Sequence, residues 1–144
     1  MLDIGAYVSY VQDVLVPAQY WHDPLDTSSY LADCHFLPDI NNALPQKNAT
    51  YVKNLQSLEN FVMVRFESDT VVQPIASEWF GFYVDGQDVQ TETLFESALY
   101  KEDWLGLQLL NSSGRLRFLS SPGDHLQFTE PWFIENIIPY LAMN

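Results

Sequence analysis

The chain of 144 residues holds one cysteine, Cys34, so it has no internal disulfide and no cysteine-rich zinc site. A catalytic thiol needs a histidine in reach. His35 is next in sequence, but neighbours on a strand point to opposite faces, so Cys34 is expected to be a packed, inert thiol. Basic residues are scarce: six Lys and Arg stand against 19 Asp and Glu, for a formal charge of −13. That excludes a nucleic-acid backbone or an anionic membrane surface as partner, because both need a basic footprint. Uncharged stretches are short and broken by Pro, Asn, Gln and Ser, and none reads as a membrane-spanning helix. The glycines are Gly5, Gly81, Gly86, Gly106, Gly114 and Gly123; no two are four apart, so no Gly-x-Ser-x-Gly nucleophile elbow is present. The three histidines show no metal-ligand spacing, and neither a metal nor an organic cofactor is expected. Met1 to Pro17 has no Lys or Arg and no small-residue cleavage site, so no signal peptide is read there.

What is present describes a folded domain. Apolar residues make up 47%, aromatics 15% and charged residues only 17%, which is too apolar and too aromatic for a disordered chain. Ile4, Tyr7, Val8, Val11 and Leu15 recur at helical spacing, which predicts an amphipathic helix over 2–16 ended by Pro17. Pro17, Pro24, Pro38 and Pro45 predict an irregular stretch over 17–48. A second helix is predicted over 49–59, with Asn48 or Thr50 as cap and Val52, Leu55 and Leu58 on one side. Phe61 to Phe66 is a short apolar run of the kind found in buried parallel strands. Trp79, Phe80, Phe82 and Tyr83 form an apolar cluster expected in the core. One or two short helical turns are expected over 94–110, a turn over 111–114, and a second strand over Leu116–Leu119. Thr129 is expected to cap a last helix reaching Leu141, with Trp132, Phe133, Ile137 and Leu141 as its apolar side. The alternation of strand and helix is α/β grammar. Two strands alone cannot cover both faces of a parallel sheet, so the reading expects a piece of a larger fold.

In open α/β sheets functional groups sit just past the carboxyl ends of strands. Asp69 follows the first strand and His125 the second. Acid before histidine is the order of these two groups in the Ser, Asp, His triads of α/β hydrolases. The carboxylate of such a triad holds the imidazole tautomer and stabilises the imidazolium. The competing reading makes Asp69 a turn residue and His125 a surface histidine. No serine in the chain opens a helix after a strand, so the nucleophile and the oxyanion-hole amides are expected to lie upstream of Met1. His22 and His35 are read as structural.

Four stretches carry a resemblance: Tyr20-Trp21-His22-Asp23-Pro24, Phe61-Val62-Met63-Val64, Ser77-Glu78-Trp79-Phe80-Gly81-Phe82-Tyr83 and Gly123-Asp124-His125-Leu126-Gln127. Over nearly its whole length the chain resembles the C-terminal half of the lysosomal palmitoyl-protein thioesterases. The resemblance implies an α/β-hydrolase fold with a helical insertion forming part of an acyl groove. Residues 1–60 would be the remainder of that insertion. Residues 61–144 would be the C-terminal part of the core, with its last two strands and helices. It implies hydrolysis of the thioester between a palmitoyl group and a protein cysteine, in the lysosome. S-palmitoylated proteins or peptides, a fatty acyl chain and the missing N-terminal half would be the partners. Asp69 matches the triad acid and His125 the triad histidine. Trp21, Val71 and Val72 would line the acyl groove. Asn48, in Asn48-Ala49-Thr50, falls on a family glycosylation position, and Asn111, in Asn111-Ser112-Ser113, is a second sequon. A family sequon just before the triad acid is replaced here by Glu67-Ser68-Asp69. The alternative function is a catalytically inactive lipid- or protein-binding fragment.

Overall fold

The structure, a computed structural model, describes residues 5–141. The N-terminal part is a chain of short helices. Helix α1 spans only Ser9–Val14, and Ile4 lies outside the described residues. The predicted helix over 2–16 is shorter because Val8, at the N-cap, offers no side-chain acceptor and the first turn has no acid. Nor is the apolar stripe its buried face: Val8 and Leu15 are exposed, and Gln12 is fully buried. The Gln12 Nε2 donates to the carbonyls of Ala6 and Ala18 at 2.6 and 2.9 Å, and its Oε1 accepts the His35 N–H at 3.1 Å. A buried amide with its donors and acceptor satisfied can stand where an aliphatic group was expected. Pro17 does not end α1 but opens α2, Val16–Gln19, because proline fits the first turn of a helix.

The stretch over 17–48 is likewise helical in pieces: α3, Thr27–Asp33, starts on an Asp26 side chain that accepts the Ser29 N–H at 3.0 Å, and α4 is Leu37–Ile40. His22 is stacked between Tyr30 and Phe82, with ring centroids 3.7 and 4.1 Å away. Burial pushes its pKa down to about 4, so it packs there as a neutral ring; nearby Asp85 and Asp23 oppose the shift. Helix α5, Ala49–Gln56, is capped by Asn48, whose Oδ1 accepts the Thr50 N–H at 3.0 Å.

The strands follow. β1, Phe61–Phe66, leads to a 3-10 turn at Ile75–Trp79 and then to a hairpin, β2 (Phe82–Tyr83) with β3 (Thr91–Glu92), which the sequence reading did not anticipate. Phe80 ends the 3-10 turn with φ near 60°, a left-handed conformation more usual for glycine. A 3-10 turn at Leu94–Glu96, α6 (Ala98–Lys101) and α7 (Leu107–Ser112) come next. Helix α7 runs past the predicted turn at 111 because Leu107 and Leu110 are fully buried on it; burial of each contributes about 1.5–3 kcal/mol.

β4, Leu116–Ser121, pairs parallel with β1, from Phe61 opposite Leu116 to Phe66 opposite Ser121. One face of this pair meets the core of Leu94, Leu105, Leu107 and Leu110. The other turns toward α8 (Glu130–Asn136) and α9 (Ile138–Leu141), with Arg117 over the Tyr140 ring at 5.8 Å and Phe128 between Phe66 and Phe133. Thr129 caps α8 as its side chain accepts the Trp132 N–H. The predicted single helix breaks at Ile137, since Pro139 has no N–H to continue the ladder. Trp132, Phe133 and Ile137 are half-buried, whereas Leu141 is exposed, as are Ile134 and Ile138. The architecture is a mixed helix and strand fold centred on a parallel pair.

Candidate active site

Two loops leave the carboxyl ends of the parallel strands side by side. The first turns immediately. The Asp69 N–H donates to the Phe66 carbonyl, and the Asp69 Oδ1 accepts the N–H groups of Val71 and Val72, both at 2.7 Å. An aspartate bonded to the backbone two and three residues on holds its own turn. The second loop folds over Gly123, where a Cβ would sit 2.1 Å from the Gln127 carbonyl oxygen, so no other residue fits. Asp124 then joins the loops: its Oδ1 accepts the Thr70 N–H at 2.8 Å and the His125 N–H at 2.7 Å. Those bonds, from His125 first and Thr70 next, hold its carboxyl below the usual range.

This stitching brings His125 Nδ1 to 2.7 Å from Asp69 Oδ2. The Asp69 side chain is fully buried, while that of His125 is one-third exposed. Burial alone would raise the Asp69 carboxyl. The Val72 amide, the His125 ring and the Val71 amide outweigh it and bring the pKa down to about 2. A carboxylate at Nδ1 fixes the proton there and leaves Nε2 as the basic nitrogen. The arrangement can accept a proton at Nε2 and stabilise the resulting imidazolium.

A third group stands beside the pair. Glu78, from the 3-10 turn, has a carboxyl atom within 4.8 Å of the Asp69 and His125 ligand atoms, and its Oε2 accepts the Phe66 N–H at 2.8 Å. Three such groups could offer ligand atoms to a cation. Here both Asp69 oxygens, His125 Nδ1 and Glu78 Oε2 are already engaged in hydrogen bonds within the protein, so a cation would have to displace them. Sequence reasoning missed Glu78 and Asp124. Glu78 follows no strand directly, and Asp124, in the same loop as His125, was passed over for its neighbour; both lie inside the stretches that carry the family resemblance.

The other candidates fall elsewhere. Val71 and Val72 meet Asp69 through their backbone; the Val71 side chain is exposed and that of Val72 half-buried. Trp21 follows α2, its indole Nε1 buried without a hydrogen-bond partner among the described residues, and no hydrogen bond or ring contact described joins it to Asp69 or His125. Cys34 and His35 diverge: the thiol donates to the Gln19 carbonyl at 3.4 Å, and the ring meets Asp13 at 3.4 Å. A cavity of about 420 Å³ lined by Ser121, Gly123, Phe128 and Trp132 adjoins the His125 loop. A larger one of about 640 Å³, between α5 and Trp104, includes neither member of the pair.

Comparison with known proteins matches residues 1–125 to the palmitoyl protein thioesterase family. Palmitoyl-protein thioesterase 1 of Caenorhabditis elegans is 46% identical over 138 residues, which is 96% of this chain and 46% of that protein. Palmitoyl-protein thioesterase 3 of Dictyostelium discoideum is 37% identical over 140 residues, 94% of this chain and 48% of that protein. Lysosomal thioesterase PPT2 of Homo sapiens is 35% identical over 98 residues, 67% of this chain and 32% of that protein. The chain thus spans about half the length, or less, of the curated relatives it matches.

Proposed function

The chain belongs to the palmitoyl protein thioesterase family, and on that premise we propose that it supplies the acid and base of a serine thioesterase acting on S-palmitoylated proteins. The observation that carries the reading is the 2.7 Å contact between a fully buried Asp69 carboxylate and His125 at adjacent parallel strand ends. In this mechanism His125 Nε2 takes the proton of a serine that lies outside these residues as the serine attacks the thioester carbonyl. Asp69 stabilises the imidazolium. The cysteine thiolate leaves readily, and the same histidine then activates water against the acyl-enzyme. Residues 1–60 act as part of a helical insertion along the acyl groove, and residues 61–144 as the C-terminal end of an α/β-hydrolase core. Trp21, Val71 and Val72 are groove candidates.

A lysosomal setting is supported by the name of the human relative and suits a site whose acid stays ionised far below neutral pH. Among the described residues, no helix is long and apolar enough to cross a membrane.

The test is hydrolysis of a palmitoyl thioester by the full-length protein and by the 144 residues alone. Turnover is expected from the first and none from the second, because the 144 residues hold no Gly-x-Ser-x-Gly. Turnover by the short chain that depends on His125 would overturn the placement of the nucleophile.

The sequons add a second expectation. Asn48 is exposed; its Oδ1 caps α5, and its side chain also meets the Tyr51 hydroxyl at the surface. Asn111 Nδ2, the atom that would carry a sugar, donates to the Tyr100 hydroxyl at 2.7 Å in a half-buried position. Mass spectrometry of the full-length protein from a eukaryotic secretory host should find glycan at Asn48, with Asn111 occupied far less. Equal occupancy would show that the Asn111 contact opens before glycosylation.

A further inference from the structure

Glu78 belongs to neither strand-end loop, yet its place is tightly set. The adjacent Trp79 is pinned by its Nε1 donating to the Leu119 carbonyl at 3.2 Å and by the Arg65 guanidinium 3.8 Å above its ring. The amides of Phe61 and Glu67 donate across to β4, to the carbonyls of Arg115 and Ser121. The Phe66 amide, pointing the opposite way along the alternation of the strand, faces the other edge of β1. There Glu78 Oε2 accepts it at 2.8 Å. The Phe66 carbonyl in turn receives the Asp69 N–H, so the residue that Glu78 holds is the one from which the Asp69 turn hangs. We propose that Glu78 is a positioning residue for the Asp69–His125 pair: one carboxyl oxygen fixes the end of β1, and the carboxyl as a whole sets the charge beside Asp69.

The surroundings define what that charge does. The groups facing Glu78 are Asp69 from the β1 loop and His125 from the β4 loop; Arg65 of β1 is stacked on Trp79. Burial, and then the neighbouring Asp69 carboxylate, push the Glu78 carboxyl up, against the pull of the Phe66 amide and of His125. Its proton, when present, is placed to be shared with Asp69. When it ionises, a second negative charge joins Asp69 and favours the imidazolium form of His125.

Glu78→Gln keeps an acceptor for the Phe66 amide and a donor toward Asp69 but cannot ionise. Glu78→Ala removes both functions. The kinetic readout rests on the thioesterase reading; a second readout does not. In the full-length protein, Glu78→Gln is expected to keep the plateau kcat within about 3-fold and to move the acidic limb of kcat/KM to lower pH by about 0.5–1 pH unit. Glu78→Ala is expected to move the limb the same way and to lower kcat about 10–100-fold with KM nearly unchanged, as the Asp69 turn loosens. The independent readout is the NMR titration of the His125 ring, whose midpoint should fall in Glu78→Gln by the same amount as the limb. A shifted midpoint in a protein that hydrolyses no thioester would overturn the function and leave the role of Glu78 standing. An unmoved midpoint in Glu78→Gln, which preserves the hydrogen bonds and so the fold, overturns the role itself.

Discussion

His125→Ala in the full-length protein is expected to lower palmitoyl thioester hydrolysis by about 10⁴-fold or more. In the proposed mechanism, removing the imidazole removes the acceptor for the nucleophile's proton in acylation and the base that activates water in deacylation, so both half-reactions slow. KM should change little, because the proposed role of the ring is proton transfer rather than acyl-chain binding. The fold should tolerate the change, since the side chain is one-third exposed and its loop is held by Gly123 and Asp124 rather than by the ring. Steady-state kinetics with a palmitoyl thioester gives the answer, with circular dichroism to verify folding. A folded variant retaining more than about a tenth of the activity would remove His125 from the chemistry.

Asp69→Asn is expected to cost about 10³–10⁴ in kcat, for a different reason. Asparagine can still accept the Val71 and Val72 amides, so the turn survives. It can also present an N–H to Nδ1, which moves the histidine proton to Nε2 and leaves no lone pair for the nucleophile. The same variant should respond differently to acid. A carboxyl lowered from 3.8 to about 2 on folding adds stability that is fully present above about pH 4 and is lost as the pH falls through about 2. Acid unfolding of Asp69→Asn should therefore be less steep between those limits. Equal activity of the variant and the parent would show that Asp69 only shapes its loop.

The elements legible in the sequence were those whose local signals agreed with their packing. Phe61 to Phe66 reads as a buried strand because it is a short apolar run with Met63 and Phe66 buried and none of its residues fully exposed, and Asn48 and Thr129 read as caps because each is followed by a helix that needs one. Asp69 and His125 were legible as strand-end groups, the position where α/β sheets place chemistry. The failures have physical causes. The face of α1 is set by a satisfied Gln12 amide, which no hydropathy pattern marks. The break at Ile137 is set by Pro139, two residues beyond it. The β2–β3 hairpin has only two residues in each strand, too few for a period to register. Glu78 comes to the site through a 3-10 turn folded back on β1, a tertiary contact with no local trace.

The parallel pairing of β1 with β4 also sets when the site comes into being. Asp69 and His125 are 56 residues apart. Their contact closes a long loop, whose entropic cost falls due before the pair gives anything back. Non-local contacts of this kind form slowly, after the local helices between the strands. A chain caught partway, with α6 and α7 already wound, would hold every residue of the pair and none of its chemistry. The hydrogen bond between Asp69 and His125 thus reports that β1 and β4 have paired, and a rise in its signal during refolding would time that step.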